Sequence, residues 1–219
     1  YTQLLTDNSD PDYPLEIAVI PPRQEHDYYT LVTVGLSRHR MGFPEERREE
    51  KLERAELLIN LPRDWKLTKV DCREELWSWP IRMMLATAHF AMEDPEVGLE
   101  SRTTLMEGED GIPFAENMDL RGEILLCPGV FGEESFFCRL PDGDEVNFYQ
   151  VIPLYRDELE YKMEHDADAL LDKMNGISFV VNPTRQNAIT RSTLSNDDFD
   201  GEMDDASYHL ESIEEKELP

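Results

Sequence analysis

Nowhere in the 219 residues do eighteen apolar side chains run together, and the mean hydropathy is −0.56, so no transmembrane helix is expected. The opening YTQLLTDNSDPD lacks both the basic and the apolar stretch of a secretory signal. It starts on Tyr1 rather than Met, which leaves an upstream segment open. Cysteine is scarce: Cys72, Cys127 and Cys138 cannot all pair, and none lies in a CxxC. That count excludes a disulfide scaffold and points to reduced, mostly buried thiols in a cytoplasmic protein. Cys127 and Cys138 could face each other across adjacent strands, but two small core side chains are the simpler reading.

Positive charge is scarce too. Lys and Arg number 21 against 48 Asp and Glu, a formal charge of −27. From Arg185 onward there are ten acids and three bases, so this C-terminal stretch contributes −7 and the other 184 residues −20. The acidity therefore belongs to the folded body as well. Such a field repels nucleic acid and anionic membranes and attracts cationic partners.

The usual signatures of catalysis and cofactor binding are missing. There is no GxSxG elbow, no GxxxxGK[ST] and no GxGxxG. Neither a Cys–His pair in local context nor an HxxxH occurs among the five histidines. In Glu164-His165-Asp166-Ala167-Asp168, consecutive helical residues splay around the axis and cannot converge on one ion. Asn196, Asp198, Asp200 and Gly201 match half of an EF-hand loop, but its twelfth position is Ser207, which cannot supply the bidentate carboxylate. No metal and no cofactor are expected. With 48 acids, carboxylate pairs arise by chance, and the sequence does not show whether two of them share a cleft.

What the chain does contain is a series of short apolar runs separated by turn residues. Strands are predicted over residues 15–21 and 28–35, joined by a hairpin-sized PPRQEHD, and over 55–61, whose near-continuous AELLINL suits a central strand. The mixed-charge segment 38–54 between them reads as an exposed loop. Further strands are expected at 103–106, 122–127, 135–140 and 145–154, the last two around the Asp142-Gly143 turn. Pro80 suits the first position of a helix whose core stripe is Ile81, Met84, Leu85, Ala88 and Met92, ending near Asp94-Pro95. A second helix is read from Leu159, Met163, Ala167, Leu170 and Met174, capped at Gly176 and followed by a strand over Ile177–Val181. The fold class that results is α+β, a mixed, largely antiparallel sheet flanked by helices in one domain over residues 1–184. Residues 185–219 read by composition as an exposed or disordered acidic tail, while the spacing of Phe199, Met203, Ala206, Leu210 and Ile213 favours a short amphipathic helix near 202–216.

Candidate recognition residues are aromatic. Trp79 is expected in the core, whereas Trp77 and Phe90 could border a groove, with Glu93, Asp94 and Glu96 supplying charge beside Phe90.

Several segments occur in a telling order: YYTLVTVGLS (28–37), AELLINLP (55–62), WPIRMMLATAHF (79–90), GEILLCP (122–128) and VNFYQVIPLYRDELEYK (146–162). Their succession over most of residues 12–183 resembles the suppressor of fused family. The resemblance implies an α/β sandwich-like domain without enzymatic activity. Animal members sequester Gli-type transcription factors, gripping a short extended peptide between this domain and a C-terminal one. The single-domain bacterial members, to which this chain looks closer, are proposed as immunity proteins that neutralise toxins. The family's aromatic at the end of the first helix matches Phe90, while its nearby acidic residue has no clear equivalent in VGLESRTTL. The functional expectation is a cytoplasmic protein-interaction domain that masks a protein partner, a cationic toxin domain being the specific case. A carboxylate-dependent hydrolase and a structural homo-oligomer are the competing readings.

Overall fold

Two neighbouring residues on one strand, Val151 and Ile152, are both buried but belong to different hydrophobic clusters. Successive strand side chains point to opposite faces, so this sheet is covered on both sides. The computed structural model describes residues 2–7, 14–94, 96–106, 111–116, 118–175 and 178–190. Its strands are β1 (Thr2–Asp7), β2 (Leu15–Ile20), β3 (Tyr28–Val34), β4 (Ala55–Pro62), β5 (Thr104–Met106), β6 (Leu120–Leu126), β7 (Phe137–Arg139) and β8 (Glu145–Tyr155). The helices are α1 (Glu75–Glu93), α2 (Arg156–Glu164) and α3 (Ala167–Lys173).

The sheet order is β1-β2-β3-β4-β8-β6-β5, with β7 also paired to β8. Every pairing is antiparallel except β4 with β8, where residues 55–58 run parallel to 147–150. This is the mixed, largely antiparallel α+β sheet expected from the sequence. AELLINL is central, and its seven residues are all buried because the strand has neighbours on both edges and cover on both faces.

One face packs under α1, with Leu57, Ile59, Trp79, Met84, Ala88 and Val151 in its core. The opposite face carries α2 and α3, where Ile124, Ile152, Leu154, Leu159 and Leu170 are buried. Trp79 sits in the first core, 1% exposed, with its ring stacked 5.4 Å from Phe114.

Both helices depart from the sequence reading. α1 begins at Glu75, a turn and a half before Pro80, which lies inside it. Proline removes one intrahelical hydrogen bond. The early turn is held instead by tertiary contacts, among them the Trp65 indole donating to the Trp77 carbonyl at 3.1 Å. The second predicted helix is two. The backbone leaves helical geometry at His165, and Asp166 restarts it as an N-cap, its carboxylate accepting from the Ala169 N–H at 2.8 Å. Met163, placed on the core stripe by periodicity, is 79% exposed.

The segment 38–54 is less free than its composition suggests. Met41 is buried, and Arg54 reaches Asp144 at 3.0 Å, tying the segment to the β7–β8 turn. The expected last strand reduces to one parallel bridge, Val180 with Asn60, which occupies the flank of β4 beyond the residues that β8 covers; Ile177 and Gly176 lie outside the described residues. The folded body continues past residue 184, since Ala188 is 1% exposed. The predicted tail helix and the Asn196–Gly201 loop fall outside the described residues.

The cysteines are less buried than expected. Cys72 and Cys127 are half-buried and Cys138 exposed, all free thiols. Because β6 and β7 both pair with β8 rather than with each other, Cys127 and Cys138 do not sit across adjacent strands. Among the described residues no helix is long and apolar enough to cross a membrane.

Candidate acidic recognition surface

The last turn of α1 carries acids where helices favour bases. Negative charge near a helix C-terminus adds to the negative end of the macrodipole, and the last turn of α1 contains no basic residue. Glu93, Asp94 and Glu96 are all exposed there. Their geometry is fixed by backbone: Asp94 N–H donates to the Phe90 carbonyl at 3.3 Å, and Val97 N–H to the Asp94 carbonyl at 3.1 Å. The Asp94 side chain accepts from the Glu96 N–H at 2.9 Å. Asp7, at the end of β1, is drawn to the same helix end by His89, Nε2 to Oδ2 2.8 Å. Among these charges stands the Phe90 ring, 46% exposed.

A large apolar ring beside carboxylates can receive an apolar contact and neighbouring cations. Desolvating the ring favours association, and each cation that arrives relieves repulsion among like charges and the helix dipole.

Four of the five residues read from the sequence therefore come together. The fifth does not. Trp77 is thirteen residues before Phe90 on the same helix, roughly 20 Å away along the axis. It is half-buried, edge-on to Trp65 at 5.3 Å, with the Lys66 ammonium 4.9 Å from its ring centroid. Asp7 escaped the sequence reading because nothing local signals that a β-strand end and a helix end meet.

A second cluster was also not anticipated. Arg40, Arg48, Lys51 and Arg54 line a cleft of about 160 Å³ together with Glu53, Asp144 and Glu145. Arg40 pairs with both Glu53 and Asp144, and Lys51 Nζ donates to the Gly143 carbonyl at 3.0 Å. Arg54 and Arg40 hold the Asp144 carboxyl below its ordinary range, Arg54 being the larger influence.

The strongly perturbed carboxyl lies elsewhere. Glu123 on β6 is buried under α1, hydrogen-bonded by the Thr87 hydroxyl, with Oε2 unpartnered. Burial pushes it up to about 8, against the hydrogen bond. It lines neither this cleft nor the small apolar depression beside Pro153 and Phe179. Among the described residues no three His, Cys, Asp or Glu are grouped to hold a metal ion.

The overall fold is shared with known proteins. The sequence profile of the family described as "Suppressor of fused protein (SUFU)" matches residues 11–186. The chain belongs to the suppressor of fused family. Among solved structures, a SUFU homologue from Neisseria gonorrhoeae FA 1090 is similar at 17% identity and TM-score 0.55, covering 80% of this chain and 78% of the other. A chain of the Sufu–Fu complex is similar at 16% identity and TM-score 0.54, covering 87% and 83%. Drosophila Suppressor of Fused gives 18% identity and TM-score 0.53 over 84% of this chain but 46% of its own length. At these identities the structural similarity shows a shared fold and no more. No curated protein matches the chain by sequence.

Proposed function

We propose that this suppressor of fused domain is a protein-binding module that captures and masks a cationic protein partner, with the C-terminal end of α1 as its contact surface. The observation that carries the reading is Phe90, a large ring exposed amid Glu93, Asp94 and Glu96 at a helix end without a base. A structural relative was crystallised in a Sufu–Fu complex, which supports protein binding as the mode of action. The overall charge of −27 would accelerate encounter, while Phe90 would govern how long the complex lasts.

A toxin domain neutralised by an immunity protein is the specific case we favour. Such a partner is commonly encoded next to its inhibitor, so the product of the adjacent reading frame is the first protein to test. Surface-immobilised domain should bind it with an association rate that falls steeply as salt rises. Phe90→Ser should raise the dissociation rate about tenfold or more while leaving association nearly unchanged. A salt-independent association rate, or a Phe90 variant that binds like the parent, would refute the reading.

A further inference from the structure

The cleft between segment 38–54 and the β7–β8 turn reverses the sign of the molecule around it. Segment 38–54 holds six of the 21 bases against five acids, in a protein carrying −27 overall. Four cations and three carboxylates line the cleft itself. Two of those cations, Arg54 and then Arg40, hold the Asp144 carboxyl below its ordinary range.

Not all of this positive charge is used internally. The carboxylates of Glu53 and Asp144 are taken by Arg40 and Arg54, and Glu145 is held by Lys51 at 3.5 Å and Arg139 at 3.2 Å. Arg48 faces the cleft with no acidic partner among the described residues. Arg54 spends Nε on Asp144 and Nη1 on the Ser37 carbonyl at 2.7 Å, leaving Nη2 uncommitted. Lys51 sits at φ 54, a left-handed conformation that L side chains rarely adopt, and from there its ammonium clamps the Gly143 carbonyl. The cleft is thus braced by its own ion pairs, while two guanidinium groups keep donors to spare.

We infer that this cleft is a carboxylate-recognition site, taking one Asp, Glu or C-terminal carboxylate of a protein partner between Arg48 and Arg54. Guanidinium forks match the planar carboxylate with paired hydrogen bonds. A single negative charge balances the excess of one cation in the lining, whereas a phosphate dianion would leave surplus negative charge in an already acidic molecule. The inference rests on the protein-masking reading and deepens it. A uniformly acidic face attracts a cationic partner without fixing its register; a local inversion of sign does fix it, because only a partner with a carboxylate at that point avoids leaving Arg48 uncompensated.

The test needs no partner. Arginine Nε–H resonances of the full chain are followed by NMR while acetate replaces chloride at constant ionic strength. Arg48 and Arg54 should shift saturably, and Arg48→Gln should weaken the half-saturation about tenfold, the scale of a charge-assisted hydrogen bond. Lys66→Gln, a cation outside the cleft, should leave the titration unchanged. Shifts that grow without saturating, an Arg48→Gln titration identical to the parent, or inorganic phosphate binding more tightly than acetate would each overturn the carboxylate assignment. If the adjacent-frame protein binds at low salt but acetate does not saturate, the cleft fails alone. If acetate saturates and no such protein binds, the masking reading fails and the cleft stands.

Discussion

Arg185 and Glu158 meet in a two-pronged ion pair, Nη1 to Oε1 at 2.6 Å and Nη2 to Oε2 at 2.5 Å, with Glu158 fully buried. The same carboxylate accepts the Tyr155 N–H at 2.9 Å, capping α2, and the Ala188 N–H at 2.8 Å. Arg185 also donates to the Pro153 carbonyl at 2.9 Å, and its guanidinium lies 4.7 Å from the Tyr155 ring centroid. One buried carboxylate thus joins the end of β8, the start of α2 and the chain beyond residue 184.

Removing the guanidinium leaves that carboxylate buried without its cation. Arg185→Ala should therefore cost about 3–5 kcal/mol in urea denaturation. Arg185→Met with Glu158→Gln together should recover part of the loss, because the uncompensated charge is gone. A single-variant cost under about 1 kcal/mol would mean that water reaches Glu158 readily.

Gly122 on β6 is required by close packing. A Cβ there would stand 2.3 Å from Leu159 Cδ1 and 2.9 Å from the Leu105 carbonyl oxygen. The leucine terminus can move; the backbone oxygen of the neighbouring strand cannot without loosening β5. Gly122→Ala should destabilise by about 1–3 kcal/mol. Amide exchange should localise the loss to β5 and α2, and uniform exchange across the sheet would argue against this account.

The strands were the most legible part of the sequence, since aromatic and β-branched runs such as YYTLVTV and AELLINL are bounded by Pro, Gly and charged turns. Helix ends were harder. Pro80 looked like a first turn because local rules cannot see Trp65 supporting the turn before it. The break at His165 did leave a signal: Asp166 is a good N-cap, but the apolar spacing continuing through Ala167 masked it. Of the candidate site, Phe90, Glu93, Asp94 and Glu96 were readable because one helix end carries them. The cationic cleft was not, because Arg54 and Asp144 are 90 residues apart and only the parallel β4–β8 pairing brings them together. The order of residues 185–190 likewise depends on a carboxylate 27 residues earlier.

Phe90 separates stability from recognition. Its exposed ring contributes little to the core, so Phe90→Ala should change the unfolding free energy by no more than about 0.5 kcal/mol. Binding of the adjacent-frame protein should weaken by about 2 kcal/mol or more. Equal losses in both measurements would make Phe90 a packing residue.

Glu123 predicts a specific pH dependence. Its carboxyl titrates at about 8 in the folded protein, against an ordinary value of 4.5, because burial disfavours the charge. The unfolded chain therefore releases this proton first. Stability supplied by the neutral carboxyl is fully present below about pH 4.5 and is lost as pH rises through 8. Between those limits the single group contributes a slope of up to about −1.4 kcal/mol per pH unit. Glu123→Gln keeps the shape, can still accept from Thr87, and cannot ionise. Urea denaturation of parent and variant from about pH 5 to about pH 9 isolates the term, since all other groups cancel in the difference. The parent should lose ground to the variant steadily up to about pH 8 and run parallel to it above. Parallel curves over the whole range would mean that the carboxyl is solvated in the folded state, and that the α1–β6 contact is looser than its packing shows.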